Sequence, residues 1–147
     1  MKCSIYRIHK DVSLPTKNKP SDAGWDVYSP EDFDIPAGVP TVVRLGIIVR
    51  APEGFHWKLV LRSSAAFKRG FRLINSVGII DSSYAGYGDE VGALLEYSGY
   101  AGSYGRISKG ERVCQLLLEK NEEVEWVEEE DRNFAGSSRG GIGSSGI

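Results

Sequence analysis

The chain has 147 residues, a formal charge of -2 at neutral pH, 41% hydrophobic residues and 26% charged ones. That length fits one domain with a real core but leaves no room for separate cofactor and substrate domains, so a small-molecule site should be a surface cleft or lie between subunits. The near-neutral balance offers no general attraction to a polyanion, which argues against sequence-independent nucleic-acid binding. No run is long enough for a membrane span and the first residues lack a signal-peptide core, so the expected location is cytoplasmic.

Short apolar and β-branched runs recur along the chain, separated by Pro and Gly. They cover Cys3 to Ile8, Trp25 to Tyr28, Thr41 to Leu45, Gly46 to Val49, Phe55 to Leu61 and Phe71 to Ile74, then Val77 to Ile80, Val91 to Tyr97, Val113 to Leu118 and Val124 to Val127. Apolar residues never keep helical spacing over three turns, and turn signals such as I-P-A-G, A-P-E-G and S-K-G-E separate the runs. This pattern predicts an all-β sandwich, barrel or jelly roll. One helical turn is expected at Ala65 to Arg69, capped by Ser63 or Ser64.

Five segments carry chemistry. In S-D-A-G-W-D-V-Y-S, Asp26 sits inside a strand-like run, where a carboxylate needs a cation, a hydrogen bond or a metal as partner. In L-R-S-S, Arg62 and the hydroxyls of Ser63 and Ser64 stand where a strand ends, a set able to hold phosphate oxygens. N-S-V-G-I-I-D-S-S-Y-A-G carries Asp81 from a short buried strand into a turn with one aromatic, Tyr84. Asp81 there is either a functional carboxylate on a rigid element or a turn former whose side chain bonds its own backbone. Gln115 opens the apolar strand Q-L-L-L after the turn K-G-E-R and is either a polar contact or simply exposed.

The fifth segment is the end of the chain, where residues 135–147 are a Gly/Ser-rich tail after a 1–134 all-β domain. Gly140, Gly141, Gly143 and Gly146 permit close approach of backbone N–H groups to an anion, with Arg139, Ser144 and Ser145 as further donors. The alternative is a plain linker. A Walker lysine is absent, and the two histidines, His9 and His56, complete no zinc spacing. Cys3 and Cys114 lie far apart and read as reduced thiols. Glu122 to Asp131 is a charge run that reads first as one solvated face, although Val124 and Trp126 alternate within it like a half-exposed strand.

Taken in order, these segments resemble the five motifs of the trimeric dUTPase family: A-G-W-D-V-Y-S, R-S-S-A-A-F-K-R-G, N-S-V-G-I-I-D-S-S-Y-A-G, K-G-E-R-V-C-Q-L and R-G-G-I-G-S-S-G. The resemblance implies a jelly-roll (β-clip) subunit of a homotrimer with sites shared between subunits, hydrolysing dUTP to dUMP and pyrophosphate with Mg2+. It implies that Asp81 orients and deprotonates the attacking water and that Tyr84 packs on the deoxyribose. Asn75 and the backbone of Gly78, Ile79 and Ile80 would face the uracil. Arg62, Ser63, Ser64 and Gln115 would hold the phosphates, as would Arg139, Gly141, Ser144 and Ser145 from the tail. Asp26 would reach the metal through water.

The sequence departs from the family pattern at three places. Ile142 stands where the family commonly has a base-stacking Phe, leaving that role to Ile142 as a weaker lid or to Tyr87, Tyr97 or Tyr100. The turn usually written Y-R-G-E is the longer Y-A-G-Y-G-D-E, and Glu96 to Gly105 is rich in Tyr and Gly. Ser98 to Gly105 is thus a candidate surface for a protein partner, or only a long connection. Two other functions stay open: a dCTP deaminase or dCTP/dUTP hydrolase on the same fold, with Glu96 as the deaminase base, and a regulatory protein on this scaffold.

Overall fold

The computed structural model describes residues 1–138 and 140. Its strands run in the order β1 (Ser4–Arg7), β2 (Trp25–Tyr28), β3 (Phe33–Pro36), β4 (Thr41–Arg44), β5 (Ile47–Arg50) and β6 (Phe55–Leu61). A single short helix α1 (Ser63–Phe67) precedes β7 (Phe71–Leu73), β8 (Gly78–Ile80), β9 (Gly92–Tyr97), β10 (Tyr104–Ile107) and β11 (Arg112–Lys120). The chain is nearly all β, as the recurring short runs predict.

Two larger antiparallel sheets carry the fold, one ordered β2-β11-β6-β8 and the other β4-β9-β7, with the pairs β1-β5 and β10-β3 alongside. β11 is the spine of the first sheet. Its register sets Gln115 opposite Asp26 on one side and opposite Val60 on the other. Alternate residues of both larger sheets meet in one core, in which Ile35, Val43, Leu45, Ile47, Ala93, Leu95, Ile107 and Cys114 have no solvent exposure. Burial also pushes the Cys114 thiol up from an ordinary value near 9 to about 12.

Four differences from the sequence reading have physical causes. β3 and β10 were not predicted. β3 ends in Pro36 and β10 begins in the Tyr/Gly stretch, and each becomes a strand by pairing with the other, Tyr104 opposite Pro36 through Ile107 opposite Phe33. Across that pair Arg106 bonds Asp32 at 2.6 Å and Asp34 at 3.3 Å. The Lys109 backbone N–H, with Arg106, holds the Asp32 carboxyl below its usual range.

The predicted turn at Ala65 to Arg69 starts two residues earlier, and neither Ser63 nor Ser64 caps it. Arg62 occupies the cap position in extended conformation without a side-chain cap bond, because its own N–H is tied to the Val113 carbonyl of β11. Val124 to Val127 is not a strand. Val124, Trp126 and Val127 are exposed, and alternation alone makes no strand where no neighbour supplies a ladder. Finally, Tyr97 is not available to stack on a base, since its ring packs on Phe71 at 5.6 Å.

Candidate active site

The chemistry-bearing residues fall into two groups. The first surrounds Asp26, which β2 buries to 4% exposure. Its Oδ1 accepts from Arg62 Nε at 2.9 Å and from Gln115 Nε2 at 3.0 Å, and its Oδ2 accepts from Arg112 at 3.2 Å. A buried carboxylate is tolerable only with such compensation. Gly24 makes the approach possible, since a Cβ there would lie 3.2 Å from the Gln115 side chain.

Asp26 thus sets the orientation of a guanidinium and an amide at the mouth where β6 ends. Ser63 and Ser64 follow Arg62 directly on α1, with Ala65 buried beneath them as the anchor. Gln115 is half-buried and bonded rather than simply exposed. Arg112 went unnoticed in the sequence because its strand partners were unknown. The signal available was its place in K-G-E-R, three residues before Gln115.

The second group is β8 with the turns on either side of it, which do not form a hairpin because β9, the next strand, joins the other sheet. Asn75, Gly78, Ile79, Ile80 and Tyr84 line one cleft of about 210 Å³, together with Leu59, Val91 and Gly92. β8 pairs only with β6, so it is an edge strand with its other rim of backbone groups turned toward the cleft side of the sheet. The approach to it is a strained turn: Ser76 has φ 60, and its N–H bonds the Leu73 carbonyl at 2.9 Å.

Asp81 follows β8 and is exposed. The turn after it is closed by its main chain, the Tyr84 N–H donating to the Asp81 carbonyl at 3.0 Å. Among the described residues no hydrogen bond reaches the Asp81 carboxylate. Turn-forming aspartates in this chain behave otherwise, since Asp22 accepts from the Lys19 N–H and Asp89 from the Gly86 N–H through their side chains.

The longer turn Y-A-G-Y-G-D-E is self-contained. Asp89 bonds back to Gly86 at 2.7 Å, and Gly88 takes φ 93, so Tyr87 projects fully into solvent. Tyr84 remains tethered across the insertion, its phenol donating to the Glu90 carbonyl at 3.3 Å. Tyr100 is also exposed, in a turn closed by Ser103, and Gly99 and Gly105 have packing reasons, whereas Gly102 serves a positive φ of 84. A Cβ at Gly105 would sit 2.5 Å from the Phe71 ring.

The structure does not bring the two groups together within one chain. Ile80 pairs with Trp57, which places Asp81 level with residue 56, six positions from Arg62 or about 20 Å along β6. Arg139, Gly141, Ile142, Ser144 and Ser145 lie outside the described residues.

The fold is thus a nearly all-β jelly roll with a carboxylate-ordered arginine at one end of a sheet and an edge-strand cleft at the other. The dUTPase family model matches residues 10–146, and the chain belongs to the dUTPase family. It is 36% identical over 148 residues to the deoxyuridine 5'-triphosphate nucleotidohydrolase of Mycobacterium tuberculosis, covering 97% of this chain and 94% of that protein. It is 33% identical over 150 residues to that of Solibacter usitatus, covering 99% and 97%. Among solved structures, a mutant dUTPase of Staphylococcus bacteriophage 80alpha with dUpNHpp superposes with a TM-score of 0.81 at 25% identity, covering 99% of each chain. The Streptococcus mutans dUTPase gives 0.74 at 26% identity, covering 83% of this chain and 98% of that one.

Proposed function

We propose that the chain converts dUTP to dUMP and pyrophosphate by in-line attack of water on the α-phosphorus, in a homotrimer whose sites are shared between subunits. The observation that carries this reading is the unbonded Asp81 carboxylate at the end of β8, beside the Asn75–Tyr84 cleft. Asp81 stands at the end of a strand with no hydrogen bond committing its carboxylate among the described residues, the position a general base needs in order to orient a water and take its proton. The rim of Gly78, Ile79 and Ile80 offers backbone donors and acceptors to the edge of uracil, with Asn75 beside them. Tyr84 lies against the deoxyribose and leaves no room for a 2'-hydroxyl.

Arg62, held by Asp26, neutralises phosphate charge while Ser63, Ser64 and Gln115 donate to phosphate oxygens. Arg139, Gly141, Ser144 and Ser145 bring further donors from the tail, with Ile142 over the base in place of a stacking ring. The separation of about 20 Å between Asp81 and Arg62 along one sheet is more than a single triphosphate bridges, which supports a site built from Asp81 of one copy and Arg62 of another. The exposed Val124, Trp126 and Val127 support the same conclusion, because apolar side chains on an unpaired segment gain most by packing on a neighbour.

Mg2+ takes oxygen ligands, keeps several waters and is usually held by one or two carboxylates plus substrate phosphates. Among the described residues no three His, Cys, Asp or Glu side chains converge. Asp26 already holds two guanidinium groups and an amide, so it would reach such an ion only through water, the ion arriving hydrated on the triphosphate rather than caged by the protein. Bound there, the ion would neutralise triphosphate charge. Among the described residues no helix is long and apolar enough to cross a membrane.

The deaminase reading would call on Glu96, but Glu96 is committed to Arg72 at 2.9 Å across the β7–β9 ladder. A protein partner recruited at Ser98 to Gly105 would meet the exposed rings of Tyr100 and Tyr104. Pyrophosphate release from dUTP, dCTP, dTTP and UTP, with and without Mg2+, tests reaction, base, sugar and metal together. The expected result is release from dUTP alone and only with Mg2+. Ammonia from dCTP would replace the proposal with deamination.

A further inference from the structure

Glu90 closes the lengthened turn Y-A-G-Y-G-D-E, where the resemblance assigns it no role, and its surroundings tie it to the turn that carries Tyr84. Its side chain is 16% exposed, and its Oε1 accepts from the Gly46 N–H at 2.8 Å while Oε2 lies 3.6 Å from Arg44. The next residue continues the stitching. Val91 accepts from the Leu45 N–H at 2.9 Å and donates to the Ile47 carbonyl at 2.9 Å. Two consecutive residues thereby engage all three residues of the β4–β5 corner.

That corner is itself closely packed. Gly46 has φ +68, and a Cβ there would lie 2.8 Å from Val12 and 3.1 Å from Pro30. Its carbonyl accepts from Ile8 at 2.9 Å, while Leu45 and Ile47 are wholly buried. The phenol of Tyr84 donates to the Glu90 carbonyl, which shares a peptide plane with the Val91 N–H that bonds Ile47. The ring of Tyr84 is therefore referenced to the core through the 90–91 peptide, and the Glu90 carboxylate adds a side-chain bond to that seam.

We infer that Glu90 is a positioning residue for sugar selectivity: its carboxylate, clamped on the Gly46 amide, fixes the peptide that holds the Tyr84 phenol and so keeps the ring where a ribose 2'-hydroxyl would collide. The inference rests on the proposed reading of Tyr84 as the residue that lies against the sugar. It also accounts for how the turn tolerates the extra Tyr87-Gly88-Asp89. The insertion closes on itself before Glu90, and the clamp restores the register after it.

The test compares kcat/KM for dUTP and UTP in the parent protein and in Glu90→Ala, Glu90→Gln, Arg44→Ala and Tyr84→Phe, with a thermal melt of each. Loss of a charge-assisted hydrogen bond at this seam should lower the dUTP-to-UTP ratio about tenfold in Glu90→Ala. Glu90→Gln keeps an oxygen for Gly46 and should restore most of the ratio, and Arg44→Ala should leave it unchanged, because Arg44 is an exposed and distant partner. Tyr84→Phe, which removes only the phenol, should relax the ratio as well and make a further Glu90→Ala change nearly silent. This keeps the inference testable if Glu90→Ala alone folds poorly. A parent that hydrolyses UTP as well as dUTP would overturn the reading of Tyr84 itself. A parent that discriminates, with variants that melt earlier but keep its ratio, would overturn the role of Glu90 and leave Tyr84 standing.

Discussion

Asp26→Asn is the substitution that tests the phosphate end most directly. The parent carboxylate is buried, its side chain only 6% exposed, and receives three donors, two of them guanidinium groups. Asn keeps one oxygen for Arg62 and Gln115 but turns an amide toward Arg112 and removes the countercharge. Breaking a fully buried pair costs about 3–5 kcal/mol. Here Arg62 is 24% and Arg112 45% exposed, so both cations regain some water and the cost falls to about 1.5–3 kcal/mol. For a chain of this size that corresponds to roughly 4–10 °C in Tm. The melt is to be run without nucleotide or Mg2+ and at one protein concentration, so that any loss of metal contact stays out of the result. Steady-state hydrolysis should show kcat/KM for dUTP reduced about tenfold or more as Arg62 and Gln115 lose their reference. An unchanged Tm would refute the claim that Asp26 organises the cluster, whatever happens to turnover.

Further outcomes are expected elsewhere in the chain. Asp81→Asn should lower kcat about 10²–10⁴-fold, the range for losing a general base, with Tm nearly unchanged because no bond to that carboxylate is broken; parent-like rates would sink the mechanism. A chain trimmed after Asn133 should lose turnover while its melt stays close to the parent's, since Phe134 and its described neighbours are exposed; a large fall in Tm would show the tail to be structural. In a thiol-reagent titration at pH 8, exposed Cys3 should react at once and buried Cys114 only on unfolding, its thiol standing at about 12. The linkage has a definite sign. The unfolded thiol ionises near 9 and the folded one near 12, so Cys114's contribution is intact below pH 9 and is lost as pH rises toward 12. A stability curve flat over that interval in the parent and sloping only in Cys114→Ser would contradict it.

What was legible in the sequence was whatever depends on neighbours in the chain. Alternation and turn residues placed most of the strands to within a residue or two, because side-chain direction in a strand is set by local backbone geometry. The motif residues were legible for the same reason: Arg62, Ser63 and Ser64 are contiguous, and Asn75 to Tyr84 run through one short strand and its turns. β3 and β10 were hidden because each is a strand only by virtue of the other, about 70 residues away along the chain. Val124 to Val127 failed in the opposite sense, with a strand's alternation and no ladder to join.

Tertiary structure alone decided the rest. It bonded Arg112 and Gln115 to Asp26 across β2 and β11, left the Asp81 carboxylate unbonded while Asp89 closed its turn, and set Glu90 on Gly46 from 44 residues away. It also separated Asp81 from Arg62 along β6, two groups that the linear motifs present as one site. The physical reason is common to all of these: the residue types and local geometry of a motif are written in order along the chain, whereas charge pairing, burial and the distance between motifs are properties of strand register, which only long-range pairing establishes.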